Sequence, residues 1–217
     1  MTYHTRNKNY DSGELVCHWC GTRRALPKNC PECGSELVRY DGEAKHYCPN
    51  QSGCRPQILG RIIHFIRRKA MNIDGMGGKM VKLLLDNQLI SDASDIYYLK
   101  KEQIEALDRM GEKSASNLIG AIETSKSAGL ARVIYSLGIR HIGEVASAEL
   151  ASKFGSIEAL FEATEEQICE IEDFGLIMAK SVVDFFKRAS TREIINKLKD
   201  AGVVTEETVI ERTSEFE

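Results

Sequence analysis

Proline is missing from residue 57 to the end of this 217-residue chain; all four prolines come earlier. Nothing in that long segment removes a backbone N–H from a helix or forces a kink. Aromatic residues make up only 7% of the sequence, with a single tryptophan. No apolar run approaches the roughly 18 residues that would suggest a membrane span. The opening residues, Met1-Thr2-Tyr3-His4-Thr5-Arg6, lack the apolar core of a secretory signal. These absences point to a cytoplasmic protein with no membrane partner. Sustained strand alternation is also missing beyond residue 56, so that part of the chain is expected to be mainly α.

Cysteine is unevenly spread. Six of the seven cysteines fall between residues 17 and 54. In a reducing compartment such a cluster reads as metal binding rather than disulfides. Cys17-His18-Trp19-Cys20-Gly21 and Cys30-Pro31-Glu32-Cys33-Gly34 are two knuckles, followed by Cys48 and Cys54. Zinc takes four such ligands in a closed tetrahedral site. Two partitions fit: Cys30, Cys33, Cys48 and Cys54, or Cys17, Cys20, Cys30 and Cys33. His18 and His46 are read as spectators, since thiolates suffice. The expected architecture is a small four-cysteine zinc ribbon or finger over residues 1–56, with residues 1–29 of uncertain origin. A helical domain follows over 57–203, and an acidic linker or tail over 204–217.

A net charge of −3 hides an asymmetry. Residues 1–69 carry 12 Lys and Arg against 6 Asp and Glu, whereas residues 70–217 carry 17 against 26. Any affinity for nucleic acid must therefore come from local patches and backbone N–H groups. One such patch is the amphipathic segment Arg55 to Ala70. Ile58, Ile62, Phe65 and Ile66 share one face, while Arg61, Arg67, Arg68 and Lys69 line the others.

The segment Asn72-Ile73-Asp74-Gly75-Met76-Gly77-Gly78-Lys79-Met80 follows. It reads as a tight Gly-apolar-Gly hairpin and then a helix starting at Gly78. The first N–H groups of that helix have no intrahelical partners and suit a phosphate. Met110-Gly111, Ile142-Gly143 and Phe174-Gly175 repeat the apolar-Gly step, each followed about one turn later by alanine: Ala115, Ala146 and Ala179. The second glycines fall at 77, 111, 143 and 175, spaced 34, 32 and 32 residues. A fixed period of this size marks a repeated supersecondary unit, here a four-fold helix-hairpin-helix domain. The first glycine is kept only at Gly75; Arg109, His141 and Asp173 replace it, and His and Asp tolerate left-handed backbone well. Thr164 and Gln167 form a capping box at the entry to the fourth copy.

Several motifs together resemble the C-terminal half of bacterial NAD-dependent DNA ligase. They are Cys30-Pro31-Glu32-Cys33-Gly34, Glu43 to Asn50 with Cys54, Arg61-Ile62-Ile63-His64-Phe65, Lys69 to Gly75, Gly111 to Ala115, and Leu137 to Ala146. The resemblance spans about residues 30–203. It implies zinc on Cys30, Cys33, Cys48 and Cys54, and four hairpins that grip nicked double-stranded DNA. Backbone N–H groups of Gly77, Gly111, Gly143 and Gly175 would hold phosphates. Gly75, Met76 and Gly78 would complete the first hairpin's contact with DNA. Lys79, Lys113, Arg140, Arg67 and Arg68 would add charge, and Arg109 a groove contact. The fourth hairpin is expected to contribute least, because residues 158–217 carry 7 basic and 15 acidic residues.

Residues 2–34 also resemble the zinc-binding insertion of the primosomal replication-restart helicase, with Cys17 and Cys20 as an alternative or second metal site. The lysine that takes AMP in the ligases sits in a Lys-x-Asp-Gly motif. Here Arg39-Tyr40-Asp41-Gly42 and Asn72-Ile73-Asp74-Gly75 both lack it. The resemblance therefore implies a DNA-binding fragment for replication and repair, without catalytic residues of its own. NAD would enter only through a missing catalytic domain, and a separately encoded catalytic half is an expected partner. A stand-alone DNA-binding module, or one that docks replication proteins, is the alternative.

Overall fold

The structure, a computed structural model, describes residues 27–39, 46–50, 53–108 and 110–207, with two short strands at 14–16 and 23–25. Cys17, Cys20, Arg109 and residues 208–217 lie outside the described residues. The chain divides into two units, Met1–Ile58 and Leu59–Glu217, with the boundary inside the first helix.

The first unit holds two antiparallel hairpins. β1 (Glu14–Val16) pairs with β2 (Arg23–Ala25), and β3 (Val38–Arg39) pairs with β4 (His46–Tyr47). Strands this short have almost no apolar face, so they cannot make a core by themselves. α1 (Arg55–Ile66) begins where Cys54 O accepts from the N–H groups of Gln57 and Ile58 at 2.9 and 3.0 Å.

The second unit is helical among its described residues, as the absence of proline allows. α1 is followed by α2 (Gly78–Asp86), a 3-10 turn (Ser94–Tyr98), α3 (Lys101–Glu105) and α4 (Glu112–Ser125). Next come α5 (Leu130–Ser136), α6 (Glu144–Phe154), α7 (Ile157–Phe161), α8 (Glu165–Cys169), α9 (Leu176–Phe186) and α10 (Ala189–Asp200). Among the described residues no helix is long and apolar enough to cross a membrane. The basic segment after α1 is not a continuation of the helix. It turns at 67–72, where Asn72 adopts φ 53° and Ile73 N–H reaches back to Ile66 O at 3.1 Å.

Phe65, Leu84, Ile96, Ile104, Ile122, Leu130, Ile134, Leu150, Ile157 and Leu160 are almost fully buried. Full burial of each such side chain contributes roughly 1.5–3 kcal/mol. Tyr97 packs edge-on against Phe65, and its hydroxyl meets Ser125 Oγ at 3.0 Å, so the one polar atom on that ring is satisfied. The expected capping box is present: Thr164 Oγ1 accepts from Gln167 N–H and Gln167 Oε1 from Thr164 N–H.

The acidic tail differs from expectation at its start. Residues 204–207 are held in the fold: Val204 N–H donates to Lys126 O at 2.9 Å and Glu207 N–H to Gly155 O at 2.8 Å. Buried Val203 and Thr205 explain this, because they alternate along an extended segment with one face inward.

Candidate metal centre and nucleic-acid interface

Four cysteines converge. Ligand atoms of Cys30, Cys33, Cys48 and Cys54 all lie within 4.8 Å of one another. Cys30 Sγ is 3.9 Å from Cys54 Sγ, and Cys33 Sγ is 3.5 Å from Cys48 Sγ. Four thiolates bound to one tetrahedral zinc at about 2.3 Å sit about 3.8 Å apart, so the spacing fits that ion. The knuckle is built locally. Gly34, at φ 73°, returns its N–H to Cys30 O at 2.9 Å, and Cys30 N–H donates to Ser35 O at 2.8 Å. The Ser35 hydroxyl, 3.3 Å from Cys33 Sγ, and the Ser35 backbone bring the Cys33 thiol down to about 6. Desolvation pushes Cys48 up to about 12 and raises Cys54 too. A divalent cation among the sulfurs reverses that penalty, since a coordinated thiol is deprotonated outright. His46 stands apart from the four, with Nδ1 buried and unpartnered.

The four hairpins share one geometry. Gly77, Gly111, Gly143 and Gly175 are the N-caps of α2, α4, α6 and α9, with φ between −89° and −100° and extended ψ. The residue before each glycine closes the turn. Met76, Met110, Ile142 and Phe174 donate N–H to Ile73, Leu107, Ile139 and Ile171 at 3.1–3.3 Å. Gly75, His141 and Asp173, one position earlier, have φ of 81°, 65° and 65°, the left-handed backbone that the sequence asks for. Four residues after the glycines, Val81, Ala115, Ser147 and Ala179 are completely buried. The small residue of the third copy is thus Ser147 rather than Ala146. Its side chain faces inward, and Oγ donates to Gly143 O at 2.8 Å.

The cap glycines have no internal reason to be glycine. Their φ suits any residue, and a Cβ on any of the four would meet nothing within 4 Å. No side chain caps these four N-termini, although Ser, Thr, Asp or Asn would do so better. What remains is room for an external body to approach the backbone. Gly78 is different: a Cβ there would come within 3.3 Å of Ile63 Cδ1, so internal packing explains it.

Lys79 and Lys113, the second residues of α2 and α4, are exposed, as are Arg67, Arg68 and Gly75. Arg140 is half-buried, and its Nε–H donates to His141 Nε2 at 3.1 Å. Met76 is a correction: its side chain is 4% exposed and belongs to the core, because the turn points the apolar residue of the hairpin inward. The fourth hairpin carries Leu176 and Ile177 at the first two helical positions, 72% and 71% exposed. Glu172 and Asp173 flank it, so neither charge nor apolar character favours a phosphate there.

Long-range contacts add residues that sequence reading missed. Arg132, on α5, donates from Nε to Ala70 O at 2.6 Å and from a terminal nitrogen to Arg68 O. His64 Nε2–H reaches Tyr135 O at 2.8 Å. Both ties join the first hairpin's approach to the third hairpin's first helix. No local pattern marks Arg132, since its partners are backbone carbonyls more than 60 residues away.

Comparison with known proteins agrees with this architecture. Residues 29–55 match the NAD-dependent DNA ligase C4 zinc finger domain, residues 68–124 a SAM-like helix-hairpin-helix tandem, and residues 132–195 a helix-hairpin-helix motif. Similar curated proteins include the DNA ligases of Christiangramia forsetii (52% identical over 178 residues) and Clostridioides difficile (50% over 180). They cover 82% and 83% of this chain, and the match covers 27% of each of them. The DNA ligase of Halothermothrix orenii is 48% identical across 91% of this chain and 28% of its own length. The chain thus spans little more than a quarter of the curated relatives it matches. A four-cysteine cluster, four glycine-capped hairpins and these similarities place the chain in the NAD-dependent DNA ligase family, as its C-terminal zinc-finger and helix-hairpin-helix portion.

Proposed function

We propose that this chain is the DNA-gripping portion of an NAD-dependent DNA ligase, and that it holds nicked duplex DNA for sealing by catalytic machinery outside these residues. One observation carries the reading: four exposed cap glycines that neither backbone conformation nor internal packing explains. Uncapped N–H groups at a helix start are suited to phosphate oxygens. Such starts at the first three hairpins, with Lys79 and Lys113 beside two of them, would carry most of a grip on the duplex backbone without reading sequence, and the acidic fourth would add least. Zinc on Cys30, Cys33, Cys48 and Cys54 would fold the small unit rather than take part in chemistry.

The double variant Gly77→Asp with Gly143→Asp tests this. Aspartate is a better N-cap than glycine by a few tenths of a kcal/mol, so the helices should persist. Its carboxylate would meet phosphate, so duplex affinity should collapse. Wild-type affinity should fall steeply with salt, with log K losing about 0.9 per decade of salt for each phosphate neutralised. Gly175→Asp, in the acidic fourth hairpin, should change affinity little. Unchanged binding by the double variant would instead favour a protein-interaction scaffold. Comparison of nicked with intact duplex, by anisotropy at one salt concentration, tests the preference for nicks.

A further inference from the structure

Two hairpins carry a glutamate at the first helical position, where a phosphate would be repelled: Glu112 on α4 and Glu144 on α6. In both, a lysine from another element meets that carboxylate. Lys101, from α3, has Nζ 3.1 Å from Glu112 Oε1. Lys69, from the turn after α1, has Nζ 2.8 Å from Glu144 Oε2. The same arrangement thus arises twice, from lysines 11 and 75 residues before their partners. The carboxylates raise both lysines above their ordinary range, so each stays fully charged.

The Lys69–Glu144 pair is too exposed to be a structural tie, its side chains being 71% and 56% exposed. Lys101, 36% exposed, also meets Glu105 Oε1 at 3.3 Å, while Glu112 is 82% exposed. Exposed pairs of this kind exchange partners readily. The backbone of Lys69, by contrast, is firmly placed. The carbonyls on either side of it, Arg68 O and Ala70 O, both accept from Arg132. An exposed ammonium on a clamped backbone, beside an open helix start, is positioned for a ligand.

We infer that Lys69 and Lys101 are phosphate contacts of the third and second hairpins, held ready by Glu144 and Glu112 and transferred to DNA when it binds. The inference rests on the reading of the glycine face as duplex-binding. Lys69 thereby serves a hairpin to which it does not belong in sequence, and the third hairpin gains the cation that Val145 denies it at the position of Lys79 and Lys113. The carboxylates act in opposition: each competes with phosphate for its lysine and moderates the grip.

The two partners of one ion pair should therefore act with opposite sign. Lys69→Ala should weaken duplex binding and reduce the slope of log K against log salt by about 0.9. Glu144→Gln should strengthen binding about two- to threefold at low salt, the effect of one unit charge several ångströms away in water. Lys101→Ala and Glu112→Gln repeat the test at the second hairpin, with thermal unfolding of each variant as the check on folding. A merely structural pair would move affinity in the same direction from both sides, and that result would overturn the inference. So would an unchanged salt slope in both lysine variants. If Gly77→Asp with Gly143→Asp abolishes binding while the lysines prove silent, the duplex reading stands and this inference falls. If the wild type shows no salt-dependent binding, both fall.

Discussion

Replacement of Arg132 by alanine is the sharpest structural test of how the interface is held. Its guanidinium makes two charge-assisted bonds, to Ala70 O and Arg68 O. They are not equal. Arg68 is exposed, and water can replace the guanidinium there. Ala70 is completely buried, so its carbonyl is left poorly satisfied. A bond to a charged donor contributes about 1.5–3 kcal/mol, and an orphaned buried acceptor costs a similar amount. One such loss dominates, so Arg132→Ala should cost about 2–3 kcal/mol. For a chain of this size, that lowers Tm by roughly 4–12 °C. The turn carrying Arg67, Arg68 and Lys69 should loosen as well, and duplex affinity should fall beyond any loss of folded protein. Arg132→Lys should recover part of the stability, because a point charge reaches one carbonyl well but not both. Differential scanning calorimetry with anisotropy on the same samples checks both effects. A Tm shift below about 1 °C for the alanine variant would refute the clamp.

Two further outcomes are expected. Chelation of zinc, or Cys54→Ser, should unfold the small unit, where metal binding contributes on the order of 10 kcal/mol. The far-ultraviolet helical circular-dichroism signal should largely survive, since helices of the second unit have their own core; its collapse would show that the units do not fold separately. The second outcome concerns acid. Burial works against the Asp95 carboxylate, but donors from Lys197 and Ser91 prevail and hold it below its ordinary range. Its stabilisation is then complete above the ordinary aspartate range near about 4 and disappears as pH falls through the lowered folded value. Urea midpoints measured from about pH 5 downward should fall less steeply for Asp95→Asn than for the wild type. Parallel curves would argue against the network.

Much of the repeat was legible because its signals are local. A left-handed residue, an inward apolar residue and a cap glycine are neighbours in sequence, so their order reports the turn directly. Asp173 and His141 could be read as left-handed substitutes for glycine, and the structure has them at φ 65°. Met76 was misplaced because glycine neighbours say where the backbone is exposed, not which way the side chain between them points. Ala146 was misplaced by one residue for a similar reason: composition marks a small residue nearby, but only the helical phase from Gly143 brings Ser147 inward.

By itself, then, the sequence determined four helix starts, the left-handed residues Gly75, His141 and Asp173 before three of them, and a cysteine set with spacing suited to one metal. Each depends on residues a few positions apart, where backbone sterics and thiolate chemistry leave little choice. Tertiary structure brought Cys30, Cys33, Cys48 and Cys54 together, packed residues 204–207 against the fold, and set Arg132 to clamp the basic turn. It also brought Lys69 to Glu144, 75 residues later. Such contacts arise from how helices pack, and no periodicity encodes a long side chain meeting a distant carbonyl or carboxylate.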